Sequence, residues 1–280
     1  MRKHRASNTA KMVAYQRALG NLIPAVPGFV DPVAEEFLPE KWKKRVEKVR
    51  DRIPASPFPF WFRGMGIFNQ FRTVVLDKAI GSALPFQQLV ILGAGLDGRA
   101  WRLPGLENTV VFEVDHPATQ LLKRQQATLQ SLKAKDIRFV GIDFTVDHIV
   151  AKLDESGFNR DAKTFWLWEG GTMYLKPKEV AATFSSIAEL SGRHSSVAFT
   201  YMGKKAGKVP GSLFLRLIGE PIRSGFSRDE LVRLALDSGW DLTEDSGIKD
   251  WIRGLSPGMD LTERKVGMQW YERIAVAVKC

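Results

Sequence analysis

Residues 89–105 read "LVILGAGLDGRAWRLPG", and the interpretation of the whole chain turns on them. Four aliphatic residues run into Gly93 and Gly95, followed by the acid Asp97. An apolar run of this length bounded by glycine reads as a buried strand and a sharp turn. Glycine lets the backbone bend with positive φ and pass close to a ligand. The pair alone is weak evidence, so the surrounding pattern has to say whether the turn holds anything.

From residue 89 onward short apolar runs alternate with amphipathic stretches. "TVVFEVD" (109–115), "DIRFVGIDF" (136–144), "KTFWLWEGG" (163–171) and "SSVAFTYM" (195–202) read as further strands. Between them lie "PATQLLKRQQATLQSLK", "VDHIVAKLDESG" and "KPKEVAATFSSIAELSG", each a helix by its apolar spacing. Such alternation means βαβ units and a parallel sheet. "SRDELVRLALDSG" adds a helix capped by Ser227 with Glu230 three residues on. "WDLTED" and the alternating "YERIAVAVK" bring the count to about seven strands, the last two expected as an antiparallel pair at the edge. Residues 203–225 interrupt the pattern with "GKKAGKVPGSLFLRLIGEPIRSG", a short apolar helix between glycines and prolines that reads as a lid on the substrate side.

The N-terminal third is different. "NTAKMVAYQRAL" is a helix with Asn8 or Thr9 as its cap, and "DPVAEEFL" is expected as a second helix begun by Asp31 and Pro32. The proline-rich "IPASPFPFWF" marks a linker, and "GIFNQFRTVVLDKAI" follows as a helix that leaves Arg72 for another face. The net charge of +10 invites a nucleic-acid partner, but residues 1–52 hold 12 basic against 6 acidic residues and so carry over half of the excess. There the densest run, "EKWKKRVEKVRDR", mixes both signs as a solvated helix face does. No aromatic–basic stripe stands out, so nucleic acid is not expected as a partner. A single Cys, Cys280, excludes an internal disulfide framework and a cysteine-based metal cluster. No signal peptide and no membrane span are read, and a cytoplasmic location is expected.

In an open α/β sheet, ligands lie beyond the carboxyl ends of the strands. Gly98 completes a G-x-G-x-x-G pattern, yet Asp97 stands where a helix N-terminus would receive a pyrophosphate, and its charge opposes one. A cofactor with an amino-acid portion and a positive sulfonium suits that acid better, which leans toward S-adenosylmethionine over a nicotinamide dinucleotide. Glu113 and Asp115, ending the second strand, are placed to accept the hydroxyls of a ribose. Asp143 and Phe144 suit an adenine amine and ring face, and Glu169 ends the fourth strand beside Gly170 and Gly171.

The ordered series "LVILGAGLDGRAWRL", "VFEVDHP", "GIDF" and "WLWEGGTMYL" resembles the leucine carboxyl methyltransferase family, and especially its bacterial branch of small-molecule O-methyltransferases. The opening "SNTAKMVAYQRAL…DPVAEEFL" and the late "GEPIRSGFSRDELVRLALDSGWDLTED" fit as well, so the resemblance covers most of the chain. It implies an α/β, Rossmann-like class I methyltransferase fold with a seven-stranded, mostly parallel sheet. An N-terminal helical cap (1–62) would precede the cofactor-binding domain (63–280), with the 203–225 insertion after strand five. It implies S-adenosylmethionine as cofactor, with no metal. Arg72 would meet the cofactor's carboxylate, and Gly93, Ala94, Gly95 and Asp97 would form its turn. Asp115 would hold the ribose, with Glu113 as a neighbour able to share that role. Asp143, Phe144 and Glu169 complete the set. "EGGTMYL" departs slightly from the family's usual form after that glutamate.

Methyl transfer from a sulfonium is an in-line displacement, so holding two ligands in that geometry and excluding water is most of the catalytic task. A carboxylate acceptor needs no proton acceptor, whereas an alcohol or phenol does. His4, His116, His148 and His194 show no convincing base motif and no metal spacing. The expected function is methylation of a carboxylate or hydroxyl on a small molecule. Methylation of a protein's C-terminal carboxyl and non-catalytic cofactor binding are the alternatives. Tyr201 at the exit of strand five and Arg223 at the return of the insertion are the candidates to orient the acceptor.

Overall fold

Seven strands form one sheet in the order β3-β2-β1-β4-β5-β7-β6 in the computed structural model, which describes residues 7–51, 60–127, 132–142, 148–208 and 221–280. The strands are β1 (Gln88–Leu92), β2 (Val110–Asp115), β3 (Asp136–Gly141), β4 (Thr164–Trp168), β5 (Ser196–Met202), β6 (Trp240–Gly247) and β7 (Glu272–Lys279). β1 lies parallel between β2 and β4, so the strand order reverses beside it and a crevice opens at its carboxyl end. β7 runs antiparallel between β5 and β6, which leaves β6 alone at the edge.

The near-continuous apolar runs of the parallel strands follow from burial on both faces. Leu89, Ile91, Val111, Phe165 and Leu167 face a core shared with the N-terminal helices. Val90, Leu92, Phe112, Trp166, Trp168, Phe199 and Tyr201 face the opposite core. Trp166 and Trp168 are therefore packing residues, with the Trp166 Nε1 donating to Ser191 Oγ at 2.8 Å.

The helices are α1 (Asn8–Leu22), α2 (Glu40–Arg50), α3 (Phe60–Ala83), α4 (Arg99–Arg102) and α5 (Pro117–Gln126), then α6 (Ile149–Glu155), α7 (Pro177–Glu189), α8 (Arg228–Asp237), α9 (Ile248–Leu255) and α10 (Glu263–Val266). Ser7 caps α1, one residue before the cap expected, its side chain accepting from the Ala10 N–H. "DPVAEEFL" is a run of turns rather than a helix. Asp31 does not cap it: its buried side chain lies 3.4 Å from Arg102 instead, and the backbone bonds there alternate between three- and four-residue spacing. α8 has the predicted reciprocal box between Ser227 and Glu230. The apolar helix expected at "SLFLRLIG" lies outside the described residues, as does most of the linker.

Candidate active site

β1 ends in Gly93 (φ 68°) and Gly95 (φ 54°), both in the left-handed region that favours glycine. The N–H groups of Gly93 and Ala94 donate to Val114 O at 2.8 and 3.1 Å, folding the turn back onto β2. The next N–H, of Gly95, donates to Asp115 Oδ2 at 2.6 Å, and the His116 N–H donates to Oδ1 at 2.6 Å. Burial raises the Asp115 carboxyl, and these two N–H groups pull it back. A carboxylate has about four acceptor positions, so two remain for the hydroxyls of a ribose. No atom lies within 4 Å of where a Cβ would stand on Gly93, nor on Gly170 (φ 67°) at the end of β4. The crevice is open at both turns, which fits a bound nucleoside. Asp143 and Phe144 lie outside the described residues.

Glu169, just past β4, sits among three guanidinium groups from three helices. Arg17 of α1 donates to its Oε1 at 2.7 Å, Arg99 of α4 donates to Oε2 at 2.9 Å, and Arg72 Nε of α3 lies 2.9 Å from Oε1. Burial alone would raise the Glu169 carboxyl, but Arg17, Arg72 and Arg99 together hold it well below the usual carboxylate range. Arg72 also donates to Glu272 of β7 at 3.0 Å. Arg99 is fully buried and donates to Asp77 of α3 at 2.7 Å and, through Nη1, to Asp97 as well as Glu169. Asp77 also accepts from Arg102, at 2.6 and 3.1 Å. Arg99 thus ties the glycine turn, through Asp97, to the end of β4. Its Nη2 is buried without a hydrogen-bond partner, an open donor at the junction of the two strand ends.

Asp97 is buried in the turn, where its Oδ1 also accepts from the Arg99 N–H at 2.7 Å and so begins α4. Gly98 is tight for a different reason: a Cβ there would stand 2.4 Å from Val33 Cγ2. The third glycine of the pattern therefore serves packing against the N-terminal segment.

Two expectations are corrected by the structure. Glu113 does not reach the crevice. It is 1% exposed and lies on the core face shared with the N-terminal helices, where Lys123 Nζ donates to both its oxygens at 2.5 Å. Burial pushes its carboxyl up to about 7 against the pull of Lys123. Tyr201 is 1% exposed and faces the opposite core. Its hydroxyl donates to Asp245 Oδ1 at 3.0 Å and accepts from Arg273 Nε at 3.1 Å, so it is engaged in pinning β5, β6 and β7 together. Arg223 is exposed beside a cavity of about 460 Å³ with Lys204 and Ile222, and its N–H donates to Met173 O at 2.7 Å.

Arg17, Arg99, Asp77 and Glu272 belong to the site and had no place in the sequence reading. Arg99 carried a signal, since it sits within the glycine-turn motif itself. Arg17 and Glu272 had none, because an arginine in a helix and a glutamate opening a strand are ordinary surface residues until the fold buries them. Among the described residues, no group of three or more His, Cys, Asp or Glu side chains is arranged to hold a metal ion, and no helix is long and apolar enough to cross a membrane.

A model of the leucine carboxyl methyltransferase family matches residues 10–188. A Bacillus subtilis protein named "Putative S-adenosyl-L-methionine-dependent methyltransferase YktD" is 31% identical over 233 residues, covering 78% of this chain and 72% of its own length. A Mycobacterium tuberculosis protein with the same descriptive name is 34% identical over 205 residues, covering 69% of this chain, which spans 64% of that relative. Among solved structures, a Streptomyces avermitilis DUF574-family protein aligns over 98% of both chains with a TM-score of 0.59 at 14% identity. Magnesium protoporphyrin IX methyltransferase from Synechocystis, solved with bound SAH, aligns over 85% of this chain and 94% of its own with a TM-score of 0.52, also at 14% identity. These structural likenesses establish the shared fold.

Proposed function

The chain belongs to the leucine carboxyl methyltransferase family, and from that premise we propose that it uses S-adenosylmethionine to methylate an oxygen of a small-molecule acceptor. The observation that carries the reading is Asp115, held by the Gly95 and His116 N–H groups at the end of β2 with acceptor capacity left over. When bound, the cofactor supplies an electrophilic methyl group on a positive sulfonium. The chain's own residues bind and orient it. Asp115 takes the ribose, the Gly93–Gly95 turn lets the backbone approach, and Arg72 meets the carboxylate. Asp143 and Phe144 belong to the adenine end of the same reading. Glu169 and Asp97, both paired with Arg99, hold the glycine turn against the end of β4 and so keep the crevice wall in place.

The acceptor favoured is a carboxylate. It is ionised at neutral pH and needs no proton acceptor. His116, which follows Asp115, has its Nδ1 occupied by the Ala118 N–H at 3.2 Å, where it caps α5. Arg223 is the candidate to pair with an anionic acceptor, its planar fork matching a carboxylate. In this reading residues 1–62 form a cap over 63–280, supported by Arg17 of α1 reaching Glu169. Residues 203–225, of which 209–220 lie outside the described residues, are assigned to the acceptor side. A cytoplasmic site of action accords with a chain that has one Cys.

The test is to incubate the protein with S-adenosylmethionine and a panel of carboxylic acids, phenols, alcohols and a peptide with a free C-terminal carboxyl, and to follow methylated products by mass spectrometry. A methyl ester or ether of a small molecule is the expected result. Methylation of the peptide alone, or cofactor binding with no turnover of any acceptor, would overturn it.

A further inference from the structure

Lys123 of α5 is 1% exposed, and its ammonium meets as many acceptors as it has donors. It donates to Oε1 and Oε2 of Glu113 on β2 and to Asp97 O in the glycine turn, each at 2.5 Å. The rest of its surroundings are aromatic. Phe37 and Trp101 pack edge to face with ring centroids 4.8 Å apart, and the Lys123 Nζ lies 5.2 and 4.9 Å from their centres. Gln120, three residues earlier on α5, donates to Glu113 O at 2.7 Å and to Val140 O at 2.9 Å, so this helix is anchored to β2 and β3.

Stability does not explain such a pair. Taking two charges out of water costs about as much as their attraction returns, and apolar replacement is often neutral or stabilising. What an apolar pair cannot replace is the bond to Asp97 O. The Gly93 and Ala94 N–H groups fix the start of the turn to Val114 O on β2, and Lys123 fixes its far end. Asp115 lies two residues beyond Glu113, and Gly95, whose N–H donates to Asp115 Oδ2 at 2.6 Å, lies two residues before Asp97. The contacts therefore close a ring. It runs from Asp115 to Gly95, along the turn to Asp97, through Lys123 to Glu113, and back along β2.

We propose that Lys123 is a positioning residue for the cofactor: by holding Asp97 O and Glu113 together, it sets how the Asp115 carboxylate meets the ribose. It acts through these two residues and touches no ligand. The inference rests on the reading of Asp115 as the ribose-binding acid and adds the group that fixes it. It also gives Glu113 a part in the site, from beneath the turn rather than in the crevice.

The test separates positioning from stability. Glu113→Leu with Lys123→Met removes the ion pair and the bond to Asp97 O while filling the space with apolar atoms. Glu113→Gln with Lys123→Met removes the same bond but keeps a polar side chain on β2, and it serves if the first variant fails to fold. Each is titrated by calorimetry with S-adenosylmethionine and with S-adenosylhomocysteine. Urea unfolding and hydrogen–deuterium exchange of the peptide containing residues 93–97 are followed in parallel. The expected result is about tenfold weaker binding of both ligands, as befits a site whose supporting groups have been loosened. The factor should be the same for both, because they share the nucleoside. Exchange at 93–97 should quicken, while the urea midpoint of the Leu/Met variant is held or raised. An unchanged dissociation constant in a folded double variant would overturn the positioning role, and so would weaker binding with no change of exchange at 93–97. A wild type that binds neither ligand would instead sink the ribose assignment of Asp115 beneath it.

Discussion

Two buried polar clusters occupy this sheet, and they differ in where their members come from. Around Glu169, side chains from α1, α3 and α4 converge on one carboxylate at the end of a central strand. Around Asp245, Tyr201 and Arg273 from two neighbouring strands meet an acid on a third. The side chains of Tyr201 and Asp245 are buried, as that of Glu169 is, although Arg273 is partly exposed, and burial raises the titrating value of Tyr201 much as it would that of Glu169. Only the first lies at the crevice where the strand order reverses. The second stitches β5, β7 and β6 on the face away from the N-terminal helices. Burial and a shifted titration identify a polar cluster but do not by themselves mark a site. Only the Glu169 cluster combines such a shift with the convergence of three helices on the end of a central strand.

The largest expected effect is at Glu169. Glu169→Gln removes the carboxylate that three guanidiniums share, and breaking a buried pair of this kind costs about 3–5 kcal/mol. Urea unfolding should show the loss, and cofactor affinity should fall with it. Because the folded Glu169 titrates below its unfolded value, its contribution is present above the ordinary carboxylate range and is lost as pH falls through the folded value. The wild type should therefore lose stability on acidification from pH 6 to 3 more steeply than Glu169→Gln, read from urea midpoints.

Tyr201→Phe sharpens the contrast. It removes one hydroxyl while Arg273 still donates to Asp245 at 2.9 Å, so unfolding should register about 1 kcal/mol. Calorimetry should find cofactor affinity unchanged. A clear loss of affinity would move the Asp245 cluster to the active site.

No loss of stability is expected at Glu113 and Lys123. Glu113→Leu combined with Lys123→Met replaces a buried ion pair by apolar side chains, an exchange that ranges from neutral to stabilising by about 1–4 kcal/mol. The pH dependence is the finer readout. Glu113 titrates at about 7 when folded, above its ordinary 4.5. A raised value gives stability that is full below 4.5 and lost as pH rises toward 7. Urea midpoints of the double variant should lack that slope between those values.

The sequence made the strands legible because parallel strands buried on both faces are continuous apolar runs, and the glycine turn legible because it interrupts one. Asp115 could be found because it ends such a run. Glu113, two residues earlier on the same strand, looked equivalent, but which lysine would meet it depends on how α5 packs. The pairing of Arg72 with Glu272 spans 200 residues, beyond any local pattern. "DPVAEEFL" misled because its helix signals, Asp31 and Pro32, are real locally. There burial of Asp31 beside Arg102 and the packing of Val33 against Gly98 override propensity.

In the proposed function, the end of β2 and the turn after β1 hold S-adenosylmethionine. Isothermal titration of S-adenosylmethionine into the wild type and Asp115→Ala tests it most directly, with circular dichroism to confirm that the variant is folded. The expected result is binding by the wild type and a loss of about 1.5–3 kcal/mol in the variant, the worth of charge-assisted bonds to the ribose. An unchanged dissociation constant in folded Asp115→Ala would contradict it.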